Sequence, residues 1–369
     1  MGQPMRIGIV GVGAISGAYL KTFAELDGVT VVAIADMDAT RAATVAEAQG
    51  ARALTVDELI ADPEIDLVLN LTIPAAHAEI ALKAIDAGKA VYGEKPLAVT
   101  LADAKRVVDA GRDAGVRVGG APDTVLGTGI QTARKAIDDG AIGAPVAATA
   151  IMMTPGHESW HPNPDFYYQP GGGPLLDMGP YYVTALVTML GPIESVIGAA
   201  SRTRDSRTIA TGPRTGVVVP VDVQTHVTGI LRHTSGALST IVMSFDSVAT
   251  QAPRIEVHGE RASLVVPDPN AFFGDVQLRG LGSDEWTTLA PSAGYRNASR
   301  GIGVVDLAST PAGEAFRANG DVALHVLDVM LSLLRAAERG TTVSVRSTCD
   351  RPPAVPLSDA PGTRSTDPS

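Results

Sequence analysis

The sequence of 369 residues lacks the usual marks of secreted, membrane-spanning and zinc-binding proteins. Its single cysteine, Cys349, cannot form an intramolecular disulfide, and no Cys/His spacing indicates structural zinc. The longest apolar stretch, residues 181–199, is broken by Gly191, Pro192 and Glu194 and does not predict a bilayer span. No secretory h-region precedes the first strand pattern, so we expect a soluble, cytoplasmic protein.

Basic residues are also scarce. Lys and Arg number 29 against 40 Asp and Glu, which gives a formal net charge of −11. Nucleic acids and anionic membranes attract basic surfaces, so we expect neither as a partner. The hydrophobic fraction of 45% is that of a globular protein, and the length predicts two domains.

What the sequence does have, over residues 1–123, is an alternation of short β-branched runs and longer helical patterns. The predicted strands are residues 7–10, 29–35, 67–71, 90–92 and 116–118. The predicted helices are residues 14–26, 39–49, 76–87 and 101–114. Such alternation predicts right-handed βαβ units and a parallel sheet with helices on both faces.

Strand patterns dominate after residue 123, although a helix at residues 127–139 is predicted first. The predicted strands are residues 143–153, 193–201, 217–232, 237–247, 253–258 and 262–266, with later helices at residues 181–190 and 321–338. These patterns favour a second domain, residues 124–349, built on an antiparallel sheet. The proline-rich residues 350–369 are predicted to be a disordered tail.

A glycine motif links the first strand to the first helix. It runs from Gly11 through Gly13, Ala14 and Ile15 to Ser16. Gly11 permits a tight turn, and Gly13 lets a pyrophosphate approach the backbone at the helix N-terminus. The alternative is an ordinary glycine turn of a βα unit. The position between strand and helix favours a dinucleotide-binding domain.

Asp36 ends the second strand pattern, at the offset from the glycine motif where a ribose-binding carboxylate is expected. A carboxylate accepts hydrogen bonds from both ribose hydroxyls and repels a 2′-phosphate. The nearest basic residue is Arg41, so NAD is favoured over NADP. The alternative for Asp36 is a helix cap or a solvated turn carboxylate.

The segment Glu94-Lys95-Pro96 ends a further strand pattern. Open parallel sheets bind ligands at the carboxyl ends of their strands, which distinguishes Lys95 from a solvated surface lysine. Pro96 restrains the backbone after it. Lys95 is therefore the first candidate for a catalytic residue.

Residues 171–182 read GGGPLLDMGPYY, in which Asp177 and Tyr181 stand one helical turn apart and share a helix face. Together with Glu-Lys-Pro after a dinucleotide motif, this segment resembles the glucose-fructose oxidoreductase / inositol dehydrogenase family. Most members carry histidine at the place of Tyr181, and this chain resembles the subgroup with tyrosine. The resemblance implies an α/β protein with an N-terminal Rossmann domain and a C-terminal α+β domain that has a large, mostly antiparallel open sheet.

The resemblance also implies an NAD(P)-dependent oxidoreductase that transfers hydride between nicotinamide and a hydroxyl or ketone carbon of a sugar, glycoside or polyol. Lys95 and Asp177 would hold and polarise the substrate oxygen. Tyr181 would exchange the proton, because a nearby ammonium lowers the pKa of a phenol. Pro96 would help to shape the nicotinamide pocket, and Glu94 would orient its neighbours rather than catalyse.

A third element, Thr72-Ile-Pro74-Ala-Ala-His77, follows another strand pattern. It resembles the family's Thr-x-Pro…His element, which lies along the cofactor. For His77, a place in the first turn of a helix without ligand contact is an equally good interpretation.

Aromatic residues make up only 4% of the chain, yet six of them lie between positions 160 and 182. Two histidines accompany them. We interpret this loop as a wall of the substrate pocket, with His157, Trp160, His161 and Tyr168 as candidate contacts. The alternative is an oligomer interface or a loop packed on its own aromatics. No third ligand completes a metal site, and Asp123, at the domain crossing, is a further candidate substrate contact.

Two other functions are compatible with these motifs. One is a glycosidase that retains NAD and acts by oxidation and elimination. The other is a non-catalytic sensor of sugar or NAD with the same fold. The resemblance further implies a homodimer or homotetramer formed through the C-terminal sheet.

Overall fold

The computed structural model describes residues 3–363, and the chain divides into two compact units. The first unit takes the chain up to Gly127, residues 293–324 and the stretch from Pro352 onward. The second takes residues 128–292 and 325–351. Each unit has its own sheet.

The first unit contains a six-stranded parallel sheet. Its strands are β1 (Met5–Val10), β2 (Val29–Ala35), β3 (Arg52–Ala53), β4 (Leu67–Asn70), β5 (Ala90–Gly93) and β6 (Val118–Gly120). Its helices begin with α1 (Ser16–Glu25), α2 (Ala39–Gln49), α3 (Val56–Ala61), α4 (Pro74–Asp86) and α5 (Leu101–Ala114). The strand order is β3-β2-β1-β4-β5-β6, so β2 and β3 lie on one side of β1 and the later strands lie on the other. Doubly wound sheets bind dinucleotides at such a switch point. Every residue of β4 is buried, as expected for a strand covered on both faces.

The second unit contains a nine-stranded mixed sheet. Its elements begin with α6 (Thr128–Asp138), β7 (Pro145–Met153), α7 (Pro174–Leu190), β8 (Ile193–Ser201), β9 (Ser206–Thr208), β10 (Val218–Pro220), β11 (His226–His233), β12 (Leu238–Ser244), β13 (Ile255–Gly259), β14 (Ala262–Val266), β15 (Val276–Gly280) and β16 (Thr287–Leu289). The last elements of the chain are α8 (Ile302–Ser309), α9 (Gly320–Arg339) and β17 (Val343–Ser344). The sheet order is β16-β15-β14-β13-β7-β12-β11-β8-β17, and β7 with β12 is its parallel pair. β9 and β10 form a separate two-stranded sheet.

The predicted fold class is confirmed, but two predicted elements differ from the structure and several short ones were not predicted. The strand predicted at 217–232 is two strands, β10 and β11, because the backbone between them leaves the ladder and the Asp222 amide bonds to the Tyr168 carbonyl. The helix predicted to begin at Tyr181 begins at Pro174, where a proline needs no amide partner. The short elements α3, α8, β9, β15 and β16 were not predicted, since they span too few residues to show a period.

The domain limits also differ from the prediction. Residues 293–324, expected in the second domain, belong to the first unit. Residues 352–363 are ordered against that unit: Val355 is fully buried and its carbonyl accepts a hydrogen bond from the Gly294 amide at 2.9 Å. The Gly362 carbonyl likewise accepts from Asp27 at 2.8 Å. The proline-rich composition of this segment gave no sign of these contacts. The remainder of the predicted tail, residues 364–369, lies outside the described residues.

Between residues 3 and 363, no helix combines the length and the apolar character that crossing a membrane requires.

Candidate active site

The glycine loop between β1 and α1 has the geometry of a phosphate-binding turn. Gly11 has a φ of 92°, and a Cβ there would lie 2.9 Å from the carbonyl carbon and oxygen of Leu71. A Cβ on Gly13 would meet nothing within 4 Å, so this loop faces open space. Ile15, the N-cap of α1, offers no side-chain hydrogen bond to the first turn. Binding of the NAD pyrophosphate by these residues and Ala14 stays a prediction.

Asp36 lies at the carboxyl end of β2, as predicted, and both of its carboxylate oxygens accept hydrogen bonds. Oδ2 accepts the Val12 amide at 2.8 Å, while Oδ1 accepts the Asp38 amide at 2.9 Å and pairs with the Arg41 guanidinium at 2.6 Å. Burial would raise the pKa of this carboxyl, but the Arg41 and amide hydrogen bonds outweigh burial and lower it. Asp36 is not a helix cap, because Asp38 caps α2.

His77 joins two loops of the first unit. It lies in the first turn of α4, after Pro74 at the helix start, and is 3% exposed. Its Nδ1 is 2.7 Å from the Pro96 carbonyl oxygen and its Nε2 is 3.0 Å from that of Thr72. The Thr72 hydroxyl in turn donates to Asn70 at 2.6 Å. Both ring nitrogens of His77 thus contact protein carbonyls, which supports a positioning role, and its contact with the cofactor stays a prediction.

The Glu94-Lys95-Pro96 turn follows β5. Glu94 accepts the Lys95 amide at 3.1 Å through Oε2 and the Tyr19 hydroxyl at 2.8 Å through Oε1. His77 contacts the Pro96 carbonyl on the other side. The backbone of Lys95 is therefore restrained by Glu94 before it and by the His77 contact with Pro96 after it. Parallel sheets bind ligands at this edge, where the carboxyl ends of the strands lie.

Asp123 follows β6 and is fully buried. Its Oδ2 accepts the amides of Gly301 and Gly303, at 2.8 and 3.0 Å, at the start of α8. Its Oδ1 has no hydrogen-bond partner among the described residues. Burial raises the pKa of this carboxyl to about 6, although the two amides oppose the shift. The predicted substrate contact does not fit these data, because a side chain without exposed surface cannot touch a substrate.

In the second unit, α7 carries both of the acid–base candidates. Asp177 lies in its first turn, after the Gly173 N-cap, and Tyr181 lies one turn later and is 7% exposed. Asp177 Oδ2 accepts a hydrogen bond of 2.8 Å from Nε2 of His157. Sequence analysis did not predict this pair, because His157 and Asp177 are 20 residues apart on different elements.

The aromatic loop packs mostly on itself. The His157 ring lies 4.3 Å from Tyr167, 4.4 Å from Phe245 and 5.1 Å from Trp160, between ring centroids. Trp160 is 58% exposed and can offer a flat face to a ligand, with the partly exposed His161 ring 5.3 Å away. The loop therefore combines a buried, self-packed part with an exposed part.

Tyr168 belongs to the buried part and not to a substrate wall. It is fully buried, and its hydroxyl accepts the His157 amide at 3.1 Å and donates to the Glu158 carboxylate. Burial, followed by the Glu158 hydrogen bond, raises the pKa of this phenol, so the hydroxyl stays protonated. The predicted substrate contact of Tyr168 is therefore replaced by a structural role.

Arg207 was missed by sequence analysis. It is 2% exposed and pairs with Glu158 at 2.9 Å and with Asp246. It also donates to the carbonyls of Pro155 at 3.0 Å and Phe245 at 3.1 Å. No sequence signal marks this arginine, because its burial depends on the two short strands β9 and β10.

No group of three or more His, Cys, Asp or Glu side chains in residues 3–363 is arranged to hold a metal ion.

Comparison with known proteins identifies both units. Residues 5–120 match the model described as "Oxidoreductase family, NAD-binding Rossmann fold", and residues 130–265 match the "GFO/IDH/MocA C-terminal domain". The 1,5-anhydro-D-fructose reductase of Ensifer adhaerens is 30% identical over 249 residues, which are 66% of this chain and 69% of that protein. The myo-inositol 2-dehydrogenase of Thermotoga maritima is 29% identical over 271 residues, 70% of this chain and 74% of its own length.

A solved structure shows the same fold. Levoglucosan dehydrogenase, in complex with NADH and L-sorbose, superposes with a TM-score of 0.79 over 94% of this chain and 100% of its own, at 21% identity. The family predicted from the Glu-Lys-Pro and glycine motifs is thus confirmed over both units. The chain belongs to the glucose-fructose oxidoreductase / inositol dehydrogenase family of oxidoreductases with an NAD-binding Rossmann domain.

Proposed function

We propose that this enzyme oxidises a secondary hydroxyl of a sugar, polyol or related carbohydrate, or reduces the corresponding ketone. The observation that carries the proposal is the double restraint on Lys95, by Glu94 on one side and by the His77 contact with Pro96 on the other. A lysine on a mobile surface loop would need no such support. The named activities of the two curated relatives, on an anhydrosugar and on myo-inositol, support the substrate class.

The residues have separate roles. Lys95 binds and polarises the oxygen of the reacting carbon, and Asp177 accepts a hydrogen bond from the substrate. Tyr181 receives the hydroxyl proton during oxidation and returns it during reduction. NAD, when bound, supplies the hydride acceptor. The exposed face of Trp160 and the His161 ring contact the sugar, because flat aromatic faces pack well on C–H surfaces.

NAD is the preferred cofactor in this proposal. The amides of Gly13, Ala14 and Ile15 hold the pyrophosphate, while Thr72 and Pro74 line the cofactor. Asp36, held by the Val12 and Asp38 amides, accepts the ribose hydroxyls. Its negative charge disfavours a 2′-phosphate, although the Arg41 contact reduces this effect.

The oligomer is proposed to form through the nine-stranded sheet. Ile197, Ile230 and Leu238 share one face of it and are 50%, 42% and 42% exposed. Covering such side chains in a homodimer or homotetramer would be favourable. A cytoplasmic location stays a prediction from the sequence.

The test is a turnover assay. The purified protein is incubated with NAD⁺ and a panel of sugars, anhydrosugars, polyols and glycosides, and NADH absorbance is followed together with product mass. The proposal expects NADH to accumulate with a product that has lost two hydrogen atoms. Release of an aglycone without net NADH would identify the NAD-retaining glycosidase instead, and binding without any conversion would identify the sensor.

A further inference from the structure

His157 and Asp177 form a nearly buried hydrogen-bonded pair in the second unit. The distance from Nε2 to Oδ2 is 2.8 Å, and the two side chains are only 9% and 15% exposed. Asp177 stands one helical turn before Tyr181. Asp177 therefore shares a face of α7 with the proton-transfer group of the proposed reaction, and His157 contacts Asp177 from a different segment.

The hydrogen bonds identify the tautomer of His157. A carboxylate can only accept, so the proton must be on Nε2. Nδ1 is buried and has no hydrogen-bond partner among the described residues. Placing the proton on Nδ1 would bury an unsatisfied N–H and turn the Nε2 lone pair toward a carboxylate, which is unfavourable on both counts. His157 is therefore a donor to Asp177.

Neighbouring residues restrain the orientation of the His157 ring. Tyr167 and Phe245 lie against it with centroid distances of 4.3 and 4.4 Å. The preceding residue, Gly156, has a φ of 113°, and a Cβ there would lie 2.7 Å from the Tyr168 hydroxyl. Packing on the ring and a glycine-dependent backbone thus determine the direction of Nε2.

A buried cation supports the whole segment. Arg207 bonds to the Pro155 carbonyl before His157 and to the Glu158 carboxylate after it. Tyr168 connects the same carboxylate to the His157 amide. Arg207 thus bonds to residues on either side of His157 and uses both of its terminal nitrogens, although its Nε has no hydrogen-bond partner among the described residues.

We infer that His157 is a positioning residue that orients the Asp177 carboxylate for the substrate. Rotation of an aspartate carboxylate about its last bond is weakly restricted by its own rotamer preferences. Binding of Oδ2 by His157 fixes that rotation and directs Oδ1. This inference rests on the proposed function for the use of Oδ1, whereas the His157–Asp177 pair itself is testable without it.

The first test uses histidine labelled with ¹⁵N in the full-length protein. Two-dimensional NMR of the imidazole is expected to show His157 protonated on Nε2, with a strongly shifted Nε2 proton. Asp177→Ala should remove that shift, while the signals of the other histidines stay in place. A proton on Nδ1, or a signal that does not respond to Asp177→Ala, would overturn the inference even if the enzyme oxidises sugars.

The second test is kinetic and uses a matched pair of variants. His157→Phe keeps an aromatic ring packed against Tyr167 and Phe245 and removes the hydrogen-bond donor. His157→Gln keeps an N–H donor at a similar distance from the backbone. His157→Phe is expected to lower kcat about 10- to 100-fold, with KM and NADH affinity changed little. The kcat of His157→Gln should be at least about tenfold higher than that of His157→Phe. Equal activities of the two variants, or a loss confined to KM, would contradict a role through Asp177.

A double-mutant cycle separates positioning from direct substrate contact. In the Asp177→Ala background, followed in single turnovers with excess enzyme, His157→Phe is expected to cost less than about threefold, because its only target is gone. A full additional 10- to 100-fold loss would assign His157 to the substrate itself. If the wild-type protein produced no NADH on any substrate, the proposed function would be wrong. The NMR result would still show whether His157 donates a hydrogen bond to Asp177.

Discussion

Glu94 accepts hydrogen bonds from the Tyr19 hydroxyl and the Lys95 amide, at 2.8 and 3.1 Å, one through each carboxylate oxygen. Tyr19 is fully buried, and burial followed by the charge of Glu94 raises its pKa, so it remains a donor. The chain of contacts thus runs from the core of the first unit to the backbone of Lys95. These contacts support the prediction that Glu94 orients its neighbours.

Removing the Glu94 carboxylate is therefore predicted to reduce turnover through Lys95. Glu94→Ala should lower kcat about 10- to 100-fold, because a small displacement of a catalytic group is costly. Glu94→Gln, which keeps one acceptor, should lose less. NADH titration should give nearly unchanged affinity in both, and Glu47→Ala, an exposed position on α2, serves as the control. Full activity of Glu94→Ala would show that the turn holds Lys95 without it.

Tyr181 is predicted to be the proton-transfer group. Tyr181→Phe retains the ring and removes only the hydroxyl, so folding and NADH affinity should survive. Turnover should fall by about 10²–10⁴, the range for a positioned acid or base. The neighbouring Tyr182→Phe is the matched control, since Tyr182 is fully buried in the core. Comparable activities of the two variants would remove Tyr181 from the mechanism.

The Asp36–Arg41 pair is predicted to set the strength of the NAD preference. Arg41 is about half exposed and lies 2.6 Å from Oδ1 of Asp36. Asp36→Ala removes the repelling charge and releases Arg41, so affinity for NADPH should rise by about tenfold or more. Arg41→Ala should weaken NADPH further and leave NADH within a small factor. Fluorescence titrations measure all of these affinities, and tighter wild-type binding of NADPH than of NADH would refute the cofactor preference.

Asp123 predicts a specific pH dependence of stability. Burial raises the pKa of its carboxyl to about 6 in the folded protein, above its ordinary value of 3.8. The folded state thus binds this proton more tightly than the unfolded state. The stabilisation is complete below about pH 4 and is lost as the pH rises through about 6, with a total near 3 kcal/mol.

Asp123→Asn isolates this effect, because asparagine mimics the protonated carboxyl. The free energy of unfolding of the variant minus that of the wild type should grow between pH 4 and pH 6 and be constant above. Urea unfolding at a series of pH values measures the difference. A difference independent of pH would mean that folding does not raise the pKa of the Asp123 carboxyl, and the prediction would be wrong.

Much of this architecture could be predicted from local patterns. The βαβ alternation placed β1, β2, β4 and β5 to within a few residues, since buried parallel strands read as continuous apolar runs. The Glu94, Lys95 and Asp36 positions followed from their places at strand ends. Family resemblance added the roles that spacing alone does not give.

The parts that could not be predicted depend on distant contacts. Arg207 reads as a surface arginine until β9 places it against Glu158 and Asp246. Asp123 and Tyr168 were predicted to contact the substrate, whereas in the structure they are buried and accept hydrogen bonds from the backbone amides of Gly301 and His157, which are distant in sequence. The proline-rich composition of residues 352–363 gave no sign that Val355 and Ala360 are buried. Periodicity contains no information about such partners.

We expect hydride transfer to depend on Lys95, and transfer of a deuterium label from substrate to cofactor measures that step. The best substrate of the panel is deuterated at the reacting carbon, a single turnover is run with NAD⁺, and the mass of the NADH formed is measured. The account predicts that the wild type yields deuterated NADH. Lys95→Ala should transfer deuterium at least about 10²-fold more slowly at unchanged NADH affinity, and Lys83→Ala, on the exposed side of α4, should match the wild type. NADH without deuterium, or an undiminished rate in Lys95→Ala, would contradict the account.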